Sequence, residues 1–323
     1  MTGWLDQPLL DLAAVDLDGS GPVRYLLHQR FRYDYDRPAY ELHQRLVAVP
    51  RDRHGPLRRQ AHLVSVSTPG RPASSRGSAR ADREGNLVVR VRLPVVEDSV
   101  EFTTAAVVER AGPPADALLP AAALADARHL RPTRLTRPDA ALRALAAELR
   151  AEAPDDRDFA LAACARLRSE LDFAFEATSV STTAAEAYAT RQGVCQDFAH
   201  VMLAVCRAAG VPARYVSGHL LGQEGGSHAW VEVLVADGGR ARAVAVDPAN
   251  GCRVGARHLP VAVGRDYADV APTSGVYSGT ARGRLTWTKR AGVVALSPAG
   301  AAPRLRPSGD GPGPRHRTAN VSR

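Results

Sequence analysis

A helix that stops at Gly210, followed by three short β-prone runs, constrains this chain more than any other stretch. Residues 195–209 carry Phe198, Val201, Met202, Val205 and Ala209 at helical spacing. Gly210, with Pro212 just beyond, is a C-terminal stop signal. Residues 213–221, 228–235 and 240–247 then read as strands. Asp237-Gly238 is a favoured two-residue hairpin loop, so the second and third runs are expected to pair antiparallel. Helices packed on an antiparallel sheet are the expected centre of the fold.

That hairpin has a chemical consequence. With Asp237 and Gly238 at the tip, His228 faces Asp247 on the neighbouring strand, with Cβ atoms about 5 Å apart. A loop spanning 237–240 leaves the two as diagonal neighbours on one face. A three-residue loop, 237–239, turns them to opposite faces. The spacing favours a His–Asp pair.

Cys195 opens the helix, where unpaired backbone N–H groups and the positive helix end favour a thiolate. A free thiol, with a pKa of about 8.5, is mostly protonated at neutral pH. A histidine within reach takes its proton, and a buried carboxylate on the other ring nitrogen fixes the tautomer and stabilises the imidazolium. Taken singly, each residue has an ordinary explanation. A cysteine before an apolar run usually packs, a histidine at a strand start is usually structural, and Asp247-Pro248 is a common strand terminator. The register that brings two of them face to face shifts the reading toward nucleophilic catalysis. Asp197 in the first turn opposes a nearby thiolate, so its side chain is expected to point away from the sulfur. His200 is the weaker partner, because five residues turn it about 140° from Cys195 around the helix.

The remaining cysteines fit no cross-link or zinc site of the usual spacing. Cys164, Cys195, Cys206 and Cys252 form no C-x-x-C pair. Cys195 and Cys206 lie roughly 16 Å apart along one helix, too far for a disulfide. Cys164 falls on an apolar stripe with Ala160, Ala163, Leu167 and Leu171, where it behaves as a small hydrophobe.

Charge gives no clear partner. The net charge is +8, and Lys289 is the single lysine. Much of the excess lies in Arg304, Arg306, Arg315, Arg317 and Arg323, a tail without aromatics, so nucleic-acid binding is not expected. No run is long enough to cross a bilayer. The N-terminus carries Asp6, Asp11, Asp16 and Asp18 and lacks a secretory pattern, so a cytoplasmic location is expected.

Five segments follow. Residues 1–22 are an extension. Residues 23–112 show short alternating runs (23–35, 61–67, 86–94 and 100–108) separated by turn signals, expected to form a β-sandwich-like domain. Residues 113–150 read as an alanine-rich helical connector. Residues 151–290 are the expected catalytic domain, with helix starts at Asp155-Asp156 and near 183. Residues 291–323 are a basic Pro/Gly/Arg-rich tail, expected to be disordered.

The motifs also carry a family resemblance. Residues 182–187, 193–200, 210–218, 227–232 and 247–251, then Val263-Gly264-Arg265-Asp266-Tyr267-Ala268-Asp269-Val270 and Gly275-Val276-Tyr277, resemble the bacterial transglutaminase-like superfamily in order. Residues 23–110, with Arg32-Tyr33-Asp34-Tyr35 at their start, resemble the N-terminal region that often precedes it. The resemblance implies an α+β fold with a papain-like transglutaminase core. It implies Cys195 as nucleophile, His228 as base and Asp247 as its orienter, acting on a peptide or protein through a thioester. A peptidase or amidase is the expected activity. The alternatives are a protein-glutamine gamma-glutamyltransferase with an amine acceptor, and a non-catalytic binding or scaffold protein keeping the fold. Gln196, Trp230 and Tyr267 are the further candidates for substrate or oxyanion contact, beside the Cys195 backbone N–H. Asn250-Gly251 reads as a turn past the carboxylate. No metal, no cofactor and no membrane partner are expected, and the oligomeric state is left open.

Overall fold

The computed structural model describes residues 3–69, 76–223 and 225–296. Strands β1 (Val23–Tyr35), β2 (Ala39–Leu46), β3 (Arg53–His54), β4 (Leu57–Ser67), β5 (Arg76–Ala81), β6 (Leu87–Val96) and β7 (Ser99–Arg110) come first. Next are β8 (Ala117–Pro120), a 3-10 turn (Ala121–Ala125), α1 (Ala127–Leu130), α2 (Ala140–Glu152) and α3 (Asp156–Glu170). Then follow β9 (Asp172–Phe173), α4 (Ala184–Thr190), β10 (Gln192–Gly193) and α5 (Cys195–Ala208). The strands β11 (Ala213–Leu220), β12 (His228–Asp237), β13 (Arg240–Asp247), β14 (Cys252–Arg253) and β15 (His258–Gly264) lead to α6 (Tyr267–Val270). The last strands are β16 (Thr273–Ser278) and β17 (Gly283–Leu296). No helix among the described residues is long and apolar enough to cross a membrane.

The chain divides into two compact units. One holds the described residues of 1–114, 221–226 and 271–323; the other holds 115–220 and 227–270.

In the first unit, a five-stranded sheet in the order β17-β1-β7-β4-β3 accompanies a four-stranded sheet, β16-β2-β6-β5. Phe31, Tyr35 and Phe102 from the first sheet share one core with Leu42, Leu46, Val91 and Leu93 from the second. Two sheets closing on a shared apolar core make the expected sandwich-like arrangement.

Its boundaries differ from the segment expectation. β17 pairs with β1 from Val23↔Leu296 to Tyr35↔Gly283, and β16 pairs with β2. The segment expected to end the catalytic domain at 290 therefore completes the N-terminal sheets, and residues 291–296 are strand instead of tail. Local pattern shows that a run is extended but not which distant edge it joins. The rest of the expected tail, from 297, lies outside the described residues. The extension also packs on this unit: the Leu10 N–H donates to the Val293 carbonyl at 2.8 Å, and Leu17 is buried.

In the second unit β14-β13-β12-β11-β15 form a sheet, with β8 added along β13. Residues 117–120 were part of the expected helical connector. They are extended, because pairing of Ala117 with Ala243 through Pro120 with Arg240 overrides alanine's helical preference. The remaining helix signals are realised as caps. Asp139 accepts from the Leu142 N–H at 2.9 Å, and Asp155 accepts from the Arg157 and Asp158 N–H groups at 2.8 Å. Thr183 and Glu186 form a capping box on α4.

Helix α5 is the hub. Its side chains from Gln196 to Arg207 are all buried, and α2, α3, α4, β11 and β12 contact it. It ends in a Schellman motif: Val211 N–H donates to the Cys206 carbonyl at 2.9 Å and Gly210 N–H to the Arg207 carbonyl at 3.2 Å. Gly210 has φ +73°, a left-handed conformation that glycine adopts without steric cost.

Candidate active site

Cys195 is the first residue of α5 and is half-buried. The turn before it is built by Asp197, whose carboxylate folds back to accept the Val194 N–H at 2.9 Å and the Thr178 hydroxyl at 2.6 Å. A Cβ at Gly193 would lie 2.6 Å from the Asp197 Cβ, so only glycine fits this close approach. Burial raises the pKa of Asp197 despite those hydrogen bonds.

His228 begins β12 and Asp247 ends β13. The hairpin tip is Gly238-Gly239, with φ +51° and +79°, and Asp237 pairs with Arg240. This is a type I′ turn, one residue beyond the expected Asp237-Gly238 tip, because both central positions need positive φ. His228 and Asp247 are therefore diagonal neighbours on one face, the second of the registers allowed by the spacing. Their side chains still meet: His228 Nε2 lies 2.6 Å from Asp247 Oδ2.

The Cys195 side chain lies close enough to the ring to raise its pKa. With Nε2 engaged by Asp247, Nδ1 is the nitrogen left for the sulfur. Burial disfavours the imidazolium, but the hydrogen bond to Asp247, the nearby Cys195 side chain and the negative charges of both outweigh it, and His228 is raised to about 9. Asp247 is fully buried. Burial favours its protonation, yet the hydrogen bonds it accepts hold its pKa well below the usual carboxylate range. Oδ2 takes donors from His228, from His258 Nε2 at 3.1 Å and from Asn250 Nδ2 at 2.7 Å. Oδ1 takes the Ala249 and Asn250 N–H groups at 3.1 and 3.2 Å. The expected turn at Asn250 thus also supplies a ligand to the carboxylate.

His258 had no place in the sequence reading. It begins β15, eleven residues past Asp247, and no periodicity links the two. His228, Asp247 and His258 also have the composition of a metal site, with their ligating atoms within 4.8 Å of one another. Their arrangement fits hydrogen bonding better. Both Nε2 atoms point at one oxygen at 2.6 and 3.1 Å, whereas a metal needs those nitrogens as bare lone pairs.

The other candidates divide. Trp230 is buried, and its ring packs 6.2 Å from His228 and 5.3 Å from His258, so it supports the two imidazoles and is closed to substrate. Gly218 makes room for it: a Cβ there would meet the Trp230 ring and the Leu259 carbonyl, both at 2.4 Å. Gln196 is buried in the first turn of α5. Tyr267 is half-buried, and its N–H donates to His200 Nε2 at 3.2 Å. His200 is fully buried, and burial with the nearby Arg207 and Arg134 lowers it to about 3, so it is a structural acceptor and no base.

Burial pushes Cys164 and Cys206 up to about 12, and burial also raises Cys252. Cys164 lies beneath the site, its Sγ donating to the Asp247 carbonyl at 3.5 Å.

Comparison with known proteins places parts of the chain in a family. Residues 143–248 match the Transglutaminase-like superfamily, and residues 25–109 match the Bacterial transglutaminase-like N-terminal region. An uncharacterized protein of Mycobacterium leprae is 41% identical over 134 residues, covering 39% of this chain and 46% of that protein. The match therefore spans about half of that relative's length. An uncharacterized protein of Mycobacterium tuberculosis is 27% identical over 82% of this chain and 90% of its own length. A crystal structure of a candidate cysteine protease from Cytophaga hutchinsonii superposes with a TM-score of 0.68 at 20% identity, covering 86% of this chain and 94% of that one. That likeness extends the shared fold over most of the chain.

Proposed function

Because this chain has a transglutaminase-like superfamily core preceded by the N-terminal region of bacterial members, we propose that it is a cysteine-dependent acyl-transfer enzyme acting on peptide or amide bonds. The observation that carries this reading is one imidazole, His228, hydrogen-bonded to the buried Asp247 carboxylate at 2.6 Å and near enough to Cys195 for the thiol to raise its pKa.

Cys195 Sγ attacks the amide carbonyl as a thiolate, with His228 protonated beside it. The Cys195 backbone N–H, in the first turn of α5 and without an intrahelical partner, faces the developing oxyanion. His228 gives its proton to the leaving nitrogen, the C–N bond breaks, and a thioester remains on Sγ. Water then loses a proton to His228 and attacks the thioester, releasing the carboxylic acid and restoring the thiolate. Asp247 holds the ring with Nε2 protonated throughout and stabilises its charge. Hydrolysis is the proposed outcome, on a peptide or protein substrate.

The test is a peptide library offered with and without a primary amine, read by mass for the free acid, the amide product and the thioester on Cys195. Acid product that disappears in Cys195→Ala supports the proposal. An amide product as the main species would make the chain a transferase. Equal turnover by Cys195→Ala would remove the enzyme reading altogether.

A further inference from the structure

Building on that reading, we propose that His258 is a positioning residue: a second imidazole that holds the Asp247 carboxylate against His228. The reasoning starts from its two nitrogens. The Gly255 backbone N–H donates to His258 Nδ1 at 3.2 Å. A backbone N–H is always a donor, so Nδ1 is a bare acceptor and the ring proton sits on Nε2. That proton points at Asp247 Oδ2, 3.1 Å away. The turn at Gly255 thus sets the tautomer that makes His258 a donor to the same oxygen that His228 uses.

Ring packing keeps it there. His258 is buried, with Trp230 edge-on at 5.3 Å and the His228 ring at 6.1 Å. Asp247 is reached from each element around it by a polar group: His228 from β12, His258 from β15, Asn250 from the following turn, and Cys164 of α3 at its backbone carbonyl. Of the two donors that share Oδ2 with His228, Asn250 comes from the same turn as the carboxylate. His258 alone comes from a different strand, so it ties the end of β13 to β15 past the ends of β12 and β11. Without it, the carboxylate keeps its local turn contacts but loses the restraint that aims Oδ2 at the His228 ring. A residue that supports a reacting group in this way typically matters to rate more than to folding.

The experiment compares wild type with His258→Leu, which removes the donor, and His258→Gln, whose amide can replace Nε2–H. Three readouts are taken: the NMR pH titration of the His228 ring, the rate of Cys195 alkylation by iodoacetamide at mildly acidic pH, and the thermal midpoint. In His258→Leu the His228 titration is expected to move down from about 9 toward its ordinary value, and alkylation to slow roughly tenfold. His258→Gln is expected to restore both. A His228 titration that stays in place or moves up in a folded His258→Leu protein overturns the proposal, since His258 would then compete with His228 for the carboxylate. Loss of thermal stability in both variants with unchanged titration and alkylation also overturns it, leaving a packing role. None of these readouts needs a substrate, so the result is independent of whether amide cleavage is found. Slow, unselective alkylation of wild-type Cys195 would instead count against the proposed activity itself.

Discussion

His228 and Asp247 meet at 2.6 Å across β12 and β13, although neither is the other's ladder partner. Asp247 stands two positions nearer the hairpin tip than the residue opposite His228 would. Parity puts them on one face, and the diagonal lets the imidazole lean along the strand onto the carboxylate.

This pairing gives stability a pH window. The folded pKa of His228 is raised above its unfolded value, so its contribution is fully present below about 6.5 and is lost as pH rises through about 9. The folded pKa of Asp247 is depressed, so its contribution is present above about 3.8 and is lost as pH falls. Urea unfolding is expected to show greatest stability from this pair between those limits. Wild type should lose up to a few kcal/mol relative to Asp247→Asn on going from about pH 5.5 to about 9.5. A constant difference between the two proteins over that range would contradict the linkage.

Thiol chemistry should be selective. Burial raises Cys164 and Cys206 to about 12, and raises Cys252 as well, whereas Cys195 is half-buried beside an imidazole that stays charged. Iodoacetamide at about pH 6 is expected to modify Cys195 at least tenfold faster than the other three, since reactivity follows the thiolate fraction. In Cys195→Ser the exposed Cys252 should become the first residue labelled, and slowly, because burial raises its pKa. Peptide mapping with time gives the order.

Gly218→Ala tests the packing behind the site. Its Cβ would press on the Trp230 ring and on the Leu259 carbonyl, and backbone cannot yield cheaply. A loss of about 1–3 kcal/mol is expected. Because Trp230 packs on both His228 and His258, the rate of Cys195 alkylation should fall in the protein that remains folded. Denaturant melts and alkylation rates measure the two effects separately.

Arg214 and Glu232, opposite one another on β11 and β12, form a buried ion pair at 2.7 Å. Glu232→Gln removes the carboxylate charge facing the buried guanidinium and should cost roughly 3–5 kcal/mol. The Arg214→Met, Glu232→Leu double substitution is expected to cost less than Glu232→Gln alone. A double-mutant cycle by urea unfolding checks the ordering; a double variant less stable than Glu232→Gln would refute it.

Much of the site was legible because its determinants are local. The α5 stop at Gly210 and the caps at Asp139, Asp155 and Thr183 are short-range hydrogen-bond patterns. So is the parity of the Gly238-Gly239 hairpin, which keeps His228 and Asp247 on one face even though the tip sits one residue beyond the expected place. Trp230, by contrast, a candidate for substrate contact, is buried against two imidazoles. Period-two alternation assigns a face and cannot tell whether another side chain covers it.

The sequence by itself determined the helix that opens at Cys195, the antiparallel strands that follow it and the residue types proposed as nucleophile, base and orienter. Only the tertiary structure decided what surrounds them. His258 reaches Asp247 because β15 lies on the far side of β11, and β17 joins β1 from 248 to 273 residues away in sequence. Caps, turns and alternation act over a few residues and are written in the local chain. Strand partners and a carboxylate's third donor depend on which distant backbone edges and side chains the folded core brings together.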